Sequence, residues 1–539
     1  MGDNTISAGT SVAIIGAGVS GLCLALDLQR KGFTDFTIYE RDDSVGGSWN
    51  RNRYPVDAVL YSHSRYPNPN WTQTHPPREE LHQYWVDLAE KQGLMSHIRF
   101  RAMYVKGTWQ AEDKTWEITL QYPSEKVTVR HDILVSAIGG FSIPRIPSVP
   151  GLDGYKGQVF HSLDWPRDLG PKDLRGKQVM VVGSGCSGVQ IVSTLARDPE
   201  INVTVVSKSK QWFAPGRKGP EGHTTRYSRI EKSLHQIPFI LWLVRLYTYV
   251  QLDKLYIIIR PSSVRFRKLI EKKLGGWLEQ RAPDHLKGVM VPDFPYGAKR
   301  IIFDGGYLHA LKSLNVTAVW DSIASATPDA VVTANGMPMM TLTFVKLRRL
   351  GQTFSPDFVV LATGFRTDIG IEIHGRDGHA IIEDRSHTKM YYGTTIPGYP
   401  NLFVLLGANV AAGIFSVLFH IEVQSENVSE IIVQMRKHGV REIEVKEEAS
   451  DRWNAWLDKR LEKSIWNSAK HYMRADGGTG RIFTSFPGPG ILWWWINYSI
   501  KWDDYKGAEP IARSQRLKRR AQILGALALA GALAWRFLV

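Results

Sequence analysis

The sequence predicts an α/β protein of two parallel-sheet domains with a helical insert, and three observations carry that prediction. A short apolar run, a Gly-x-Gly-x-x-Gly and a helical stretch follow one another twice, starting at Val12 and at Val179. Each copy returns as a second strand within about 30 residues, the length of one βαβ unit. From Gly216 to Val291 the pattern turns helical and basic, interrupting the second copy.

Composition sets the outer limits. The chain has 539 residues, 43% hydrophobic and 22% charged, an ordinary globular balance that excludes a disordered chain. Two cysteines exclude a disulfide scaffold and a Cys-built zinc site, and no metal site is expected. The formal charge of +15 is uneven: residues 207–300 hold 19 Lys+Arg against 7 Asp+Glu, and residues 511–539 hold 6 basic residues and no acid. The remainder is slightly acidic, so a uniformly basic nucleic-acid binder is not expected. Met1–Thr10 is polar, without the basic start and apolar stretch of a signal peptide.

In the first unit the strand Val12–Ile15 runs into Gly16-Ala17-Gly18-Val19-Ser20-Gly21, a helix follows to Gly32, and Thr34–Glu40 is the second strand. Gly16, Gly18 and Gly21 permit the tight turn, the approach of backbone to a pyrophosphate and the contact of helix with strand, while the helix N-terminus favours the anion. Glu40 ends the second strand, 19 residues beyond Gly21. A carboxylate there accepts from ribose hydroxyls and repels a 2′-phosphate, so this site suits FAD.

Trp109–Val129 reads as a β-hairpin or meander, Asp132–Gly139 as a buried strand, and Ser142–Gly151 as a Pro-rich linker. The second unit comprises Val179–Val182, then Gly183-Ser184-Gly185-Cys186-Ser187-Gly188, a helix to Ala196, and the strand Val203–Ser207. No acid stands at the matching strand end, which offers Ser207-Lys208-Ser209-Lys210. Cations and hydroxyls there suit a 2′-phosphate, so NADPH is preferred over NADH. Both domains are therefore Rossmann-like dinucleotide-binding domains, one for FAD and one for NADPH, and together they imply hydride transfer to a flavin. Disulfide reductases need a cysteine pair, but Cys23 and Cys186 lie on the helices of separate units. Oxygen becomes the default electron acceptor.

Strands and small helices resume at Asn315 and lead to Asp357–Phe365, after which Ile396–Gly439 reads as a strand, a glycine-rich loop and a helix. The expected organisation is residues 1–145 as the first part of the FAD-binding domain, 146–175 as a linker, and 176–215 with 293–361 as the NADPH-binding domain. Residues 216–292 form the helical insert, 362–510 the second part of the FAD-binding domain, and 511–539 a basic strip with an apolar tail.

Tyr155-Lys156-Gly157-Gln158-Val159-Phe160-His161-Ser162-Leu163-Asp164-Trp165-Pro166 lies just before the second glycine loop. It resembles the fingerprint of type I Baeyer–Villiger monooxygenases, Phe-x-Gly-x-x-x-His-x-x-x-Trp followed by Pro or Asp, with Tyr155 in place of Phe. The matching positions are Tyr155, Gly157, His161, Trp165 and Pro166. Ordinary flavin-containing monooxygenases have Tyr or Phe where this chain has Trp165, so Trp165-Pro166 favours the Baeyer–Villiger branch. Without the family, His161 reads as a satisfied linker histidine, placed to respond to cofactor state without doing chemistry.

Other landmarks extend the resemblance from about residue 11 to 505. Gly46-Gly47-Ser48-Trp49 resembles the family's Gly-Gly-x-Trp near the flavin, and Tyr61 and Val105 are placed with the FAD contacts. Arg53-Tyr54-Pro55, Leu60-Tyr61-Ser62 and Pro67–Trp71 match the next block, but the loop Val56-Asp57-Ala58-Val59 is shorter than the family's. The resemblance implies that Asp57 replaces the family's flavin-side aspartate. Pro292–Arg300 resembles the block that carries the active-site arginine; this implies Arg300 in that role, with Lys299 near the NADP. A permanent cation suits an anionic oxygen species and a tetrahedral oxyanion. Asp357–Phe365 matches the second Ala-Thr-Gly strand, whereas the first departs, with Ile138 for Thr in Ala137-Ile138-Gly139. Pro400–Asn409 and Ile421-Glu422 resemble the last flavin-side block, and the apolar loop Val410–Phe415 points to an apolar substrate.

The resemblance implies that NADPH reduces FAD, that O2 reacts with the reduced flavin, and that a ketone leaves as an ester or lactone. The expected substrate is a bulky lipophilic ketone of secondary-metabolite character. An N- or S-oxygenating or hydroxylating flavin monooxygenase stays open, as does a membrane-tethered flavoprotein that lacks oxygenation; oligomeric state is left open too. The tail Ala521–Val539 spans 19 residues, about 28 Å as a helix, against the roughly 20 residues that a span needs. Arg513, Arg516, Lys518, Arg519 and Arg520 precede it, so the expectation is a tail anchor with the catalytic part cytoplasmic. Ile237–Ile259 reads as a core helix pair or a surface lying on a bilayer, and Trp493–Trp495 as a pocket rim or core.

Overall fold

A computed structural model describes residues 10–51, 61–74, 76–216, 226–334, 351–366, 368–384, 387–411, 415–471 and 474–522. Two five-stranded parallel sheets carry the two dinucleotide units, as the glycine-loop repeat leads one to expect. In the FAD-side sheet the strands run Leu402–Val404, Ile133–Ser136, Val12–Ile15, Phe36–Tyr39, Ile98–Arg99. Val12–Ile15 and Ile133–Ser136 are buried throughout, the mark of a parallel sheet covered on both faces. The helix Val19–Arg30 and the long helix Val417–Lys437 share one core through Leu22, Leu26, Leu418 and Ile421.

The NADPH-side sheet runs Val316–Trp320, Asn202–Ser207, Gln178–Val182, Phe358–Leu361, Gln158–His161. The fingerprint strand thus joins this sheet at its edge and brings His161 level with Leu361. Strands Met103–Gln110, Thr115–Gln121 and Lys126–His131 form an antiparallel meander, with Trp116, Ile118 and Leu120 facing inward.

Two linkers cross between the domains side by side. The Arg145 amide donates to the Gly364 carbonyl at 2.9 Å and the Arg366 amide to Ile143 at 3.0 Å, so the crossing is a short hydrogen-bonded ribbon.

The insert departs from the expected core pair. Helix Pro238–Lys254 buries only Leu241 and Arg245, while Phe239, Trp242, Leu246 and Tyr247 are exposed. Its apolar residues are spread round the whole helix rather than gathered in one stripe, so sequence pattern assigns no inward face. The second insert helix, Val264–Arg281, packs Leu278 into the NADPH-side core. Trp493 is core, whereas Trp495 is exposed.

The membrane address is corrected. Among the described residues no helix is long and apolar enough to cross a membrane. Residues 509–522 are helical; Ile511 and Ala512 at the start are buried and Arg516 pairs with Asp503, while Arg513, Lys518, Arg519 and Arg520 are exposed. The rest of the expected anchor, residues 523–539, lies outside the described residues.

Candidate dinucleotide and oxygenation site

At each glycine loop the last glycine lies against the first. A Cβ on Gly21 would fall 2.0 Å from the Gly16 carbonyl oxygen, and one on Gly188 would fall 2.0 Å from that of Gly183. Only hydrogen fits, because these contacts seat each helix on its strand. Neither helix has an acid in its first turn, so its N-terminal amides and dipole stand ready for an anion. The Gly46 amide donates to the Ala17 carbonyl at 2.9 Å, laying Gly46-Gly47 along the first loop next to Gly18. Ser48 begins the short helix Ser48–Arg51 that follows.

Glu40 is buried where its strand ends. Its Oε2 accepts from the Ala17 amide at 2.6 Å and its Oε1 from the Asp42 amide at 2.9 Å. Burial holds the carboxyl above its ordinary value despite those two amides. The carboxylate thus lies within the loop that a dinucleotide would occupy, which fits FAD.

Trp49 meets Tyr61 edge-on at 5.0 Å, and Arg78 donates to the Trp49 carbonyl at 2.5 Å. Asp57 lies outside the described residues, as do 412–414 of the apolar loop. Val105 is half-buried and falls where the register shifts between Tyr104 and Lys106. Such a bulge leaves the extra residue's backbone out of the ladder and available to a ligand. The Gly407-Ala408-Asn409 block is held from several sides: Asn409 donates to the Ile482 and Ser485 carbonyls at 2.9 and 3.1 Å, and Gln424 Oε1 accepts from the Leu406 amide at 2.8 Å.

At the second site Gly183 donates to Val206 at 2.8 Å and Ser184 Oγ to the Ser209 carbonyl at 3.3 Å. Gly185 caps the following helix, whose first turn includes Ser187. Ser207 is buried at the strand end and Lys208 exposed. Lys210 pairs with Asp293 at 3.3 Å, and that lysine holds the Asp293 carboxyl below its ordinary value. Cations and hydroxyls at the strand end fit a 2′-phosphate.

The Lys210–Asp293 pair joins the second glycine unit to the Pro292–Arg300 block. There Lys299 Nζ sits 4.2 Å over the Phe294 ring, and burial lowers its pKa. Arg300 is exposed, just ahead of the strand Ile302–Asp304. A Cβ on Gly297 would lie 3.2 Å from both Ile258 and Ile465, so the block sits where the insert meets the later FAD-side segment.

In the fingerprint, Tyr155 donates to the Pro356 carbonyl at 2.5 Å, and Gly157 lies under that tyrosine ring beside the Pro356 and Asp357 carbonyls. His161 is buried, accepts from the Leu163 amide at 3.1 Å and meets Phe365 edge-on at 5.5 Å. Burial lowers its pKa, with the Gly364 backbone opposing. Trp165 donates to the Leu169 carbonyl at 2.7 Å, and the Leu169 amide donates to Pro166 at 3.3 Å. His161 therefore touches the crossing linker.

Sequence reasoning passed over Arg245, which donates across 183 residues to Ser62. The available signal was an arginine in the apolar part of a helix whose other charges, Asp253 and Lys254, stand at its end.

Comparison with known proteins gives the family and the fold. A family model described as flavin-binding monooxygenase-like matches residues 9–228. A Baeyer–Villiger monooxygenase of Streptomyces coelicolor is 30% identical over 497 residues, covering 88% of each chain. Among solved structures, OTEMO in complex with FAD and NADP superposes with a TM-score of 0.78 at 22% identity, covering 92% of this chain and 99% of that one. Cyclohexanone monooxygenase from Rhodococcus sp. Phi1, bound to NADP+, gives 0.78 at 21% identity, covering 93% and 99%. At such identities the structural likeness concerns the fold.

Proposed function

This chain belongs to the Baeyer–Villiger monooxygenases, and from that premise we propose that it uses FAD and NADPH to convert a bulky, lipophilic ketone into an ester or lactone with one atom of O2. The observation that carries the substrate reading is an aromatic cluster where the first insert helix meets the start of the long helix Val417–Lys437. Tyr249, Phe415 and Phe419 pack with ring centroids 5.2–5.7 Å apart, and Phe415 also meets His420 at 5.7 Å. Such a cluster favours apolar substrate surface, and a ketone needs only its carbonyl recognised by charge.

When bound, the flavin supplies the redox chemistry with oxygen, and the residues do the rest. Gly16, Gly18, Gly21 and the amides behind them receive the FAD pyrophosphate, and Glu40 receives its ribose. Ser48, Trp49, Tyr61 and the Val105 backbone border the cofactor. Gly183, Gly185, Gly188, Ser184 and Ser187 form the NADPH loop, and Ser207, Lys208 and Lys210 take the 2′-phosphate. Lys299 stays close to that nucleotide. Arg300, cationic at every working pH, stabilises the oxyanion that forms as the ketone carbon becomes tetrahedral. His161 couples cofactor occupancy to the linker crossing.

Products from a panel of polyketide, terpenoid and steroid ketones, with small cyclic ketones beside them, test the reading by mass spectrometry. The expected result is one added oxygen on the bulky members. Conversion of small polar ketones alone would contradict the substrate class.

A further inference from the structure

The insert is enclosed in the sequence by the NADPH-side domain, yet its first long helix is fastened to the other one. Arg245 is 5% exposed and is the single charged residue that Pro238–Lys254 buries. Its Nη1 donates to Ser62 Oγ at 2.9 Å, and its Nη2 to the Ser62 carbonyl at 3.0 Å, Ser64 Oγ at 3.1 Å and Tyr249 Oη at 3.3 Å. Ser64 passes the connection on, donating its amide and hydroxyl to Glu422 at 2.6 and 2.5 Å. Glu422 belongs to the long helix Val417–Lys437.

Both ends of this chain of contacts reach the candidate site. Ser62 follows Tyr61, which lies edge-on to Trp49. Tyr249, one turn beyond Arg245, stacks on Phe415 at 5.7 Å. Further along the same helix, Asp253 accepts from the Gly490 and Ile491 amides at 2.6 and 3.1 Å, and Tyr256, which begins the next short helix Tyr256–Ile259, donates to the Pro487 carbonyl at 3.1 Å. The second insert helix packs the other way, into the NADPH-side core through Leu278. Between the two helices Arg267, itself buried, donates to the Ile258 and Arg260 carbonyls at 2.9 and 2.6 Å.

A buried guanidinium is strongly unfavourable unless its donors are matched, and a helix that needed only adhesion would bury another leucine, as it does at Leu241. The fork of Arg245 instead reads one backbone carbonyl and three hydroxyls in fixed directions. We propose that Arg245 is a positioning residue that locks the Ser62–Ser64 turn to Glu422, so that the first insert helix moves with the FAD-side domain and holds Tyr61 and Phe415 in place for oxygen transfer. The catalytic part of this rests on the oxygenase reading above; the mechanical part does not.

Hydrogen exchange and reaction coupling, both on the full-length holoenzyme, test it together. In Arg245→Met, exchange at residues 61–66 and 246–252 rises about 10-fold or more, while strands 178–182 and 202–207 are unchanged. NADPH oxidation stays within about 2-fold of wild type, and the share of NADPH that ends as hydrogen peroxide rises about fivefold. Arg245→Lys keeps the charge without the fork and restores coupling only in part. Should Arg245→Met fail to fold, Ser64→Ala removes a single hydroxyl and shows the same pattern more weakly. Unchanged exchange at 61–66, or an equal rise in the NADPH-side strands, would overturn the proposal. A wild-type enzyme that makes no ester from any ketone would instead defeat the oxygenase reading and leave the exchange pattern standing.

Discussion

Glu40 Oε2 accepts a hydrogen bond from the Ala17 amide at 2.6 Å, so the acid at the strand end and the first glycine loop form one unit. A charge-assisted bond of this kind contributes about 1.5–3 kcal/mol. Glu40→Gln keeps the shape and loses the charge, and FAD affinity is expected to fall about 10- to 100-fold on that scale. Fluorescence titration of the apoprotein measures it, and an unaltered Kd would show that the acid serves neither loop nor ribose.

The pairing of Lys210 with Asp293 makes a second expectation specific. Lys210→Met removes a cation that a 2′-phosphate uses and a 2′-hydroxyl does not. KM for NADPH should rise about 10-fold, while KM for NADH changes by less than about 2-fold. A parallel rise for both nucleotides would mean that Lys210 acts only through its contact with the Pro292–Arg300 block.

Arg300 has the sharper test. Arg300→Ala should leave flavin reduction by NADPH within a few-fold of wild type and lower ester formation about 100-fold or more, the scale on which one oxyanion partner matters. Stopped-flow reduction and product analysis separate the two half-reactions. Normal ester yield from this variant would remove Arg300 from the chemistry.

A pH expectation follows from His420. It is fully buried among Phe415, Phe419 and Trp493, its Nδ1 lies 2.8 Å from the Ser416 carbonyl, and burial lowers its pKa to about 4. Unfolding restores the ordinary value near 6.5, so the unfolded chain binds the extra proton first. Stability is therefore full above about pH 6.5 and declines as pH falls toward about 4, by roughly 3 kcal/mol across that window. His420→Phe should flatten this part of the Tm against pH curve, and an unchanged slope would show that other groups set it.

Much of the architecture was legible because its determinants are local. Two glycine loops each need a strand before and a helix after, and the structure has Gly21 and Gly188 in the same contact with Gly16 and Gly183. Glu40 could be read because its distance from Gly21 is set by one helix and one strand. The bridge from Arg245 to Ser62 and Ser64 could not, since it depends on how an all-round apolar helix is turned, and such a helix has no period to reveal its inward face. The Val105 bulge is likewise a matter of pairing between strands. The basic strip misled for a related reason: positive residues ahead of an apolar stretch read as a membrane address, whereas Arg516 is turned toward Asp503.

The most direct measurement is turnover under ¹⁸O2 with NADPH and a bulky ketone, following product mass and hydrogen peroxide together. An ester or lactone carrying one ¹⁸O atom is expected, formed in step with NADPH consumption and with little peroxide. NADPH consumption matched by peroxide, with the ketone recovered unlabelled and unchanged, would contradict it.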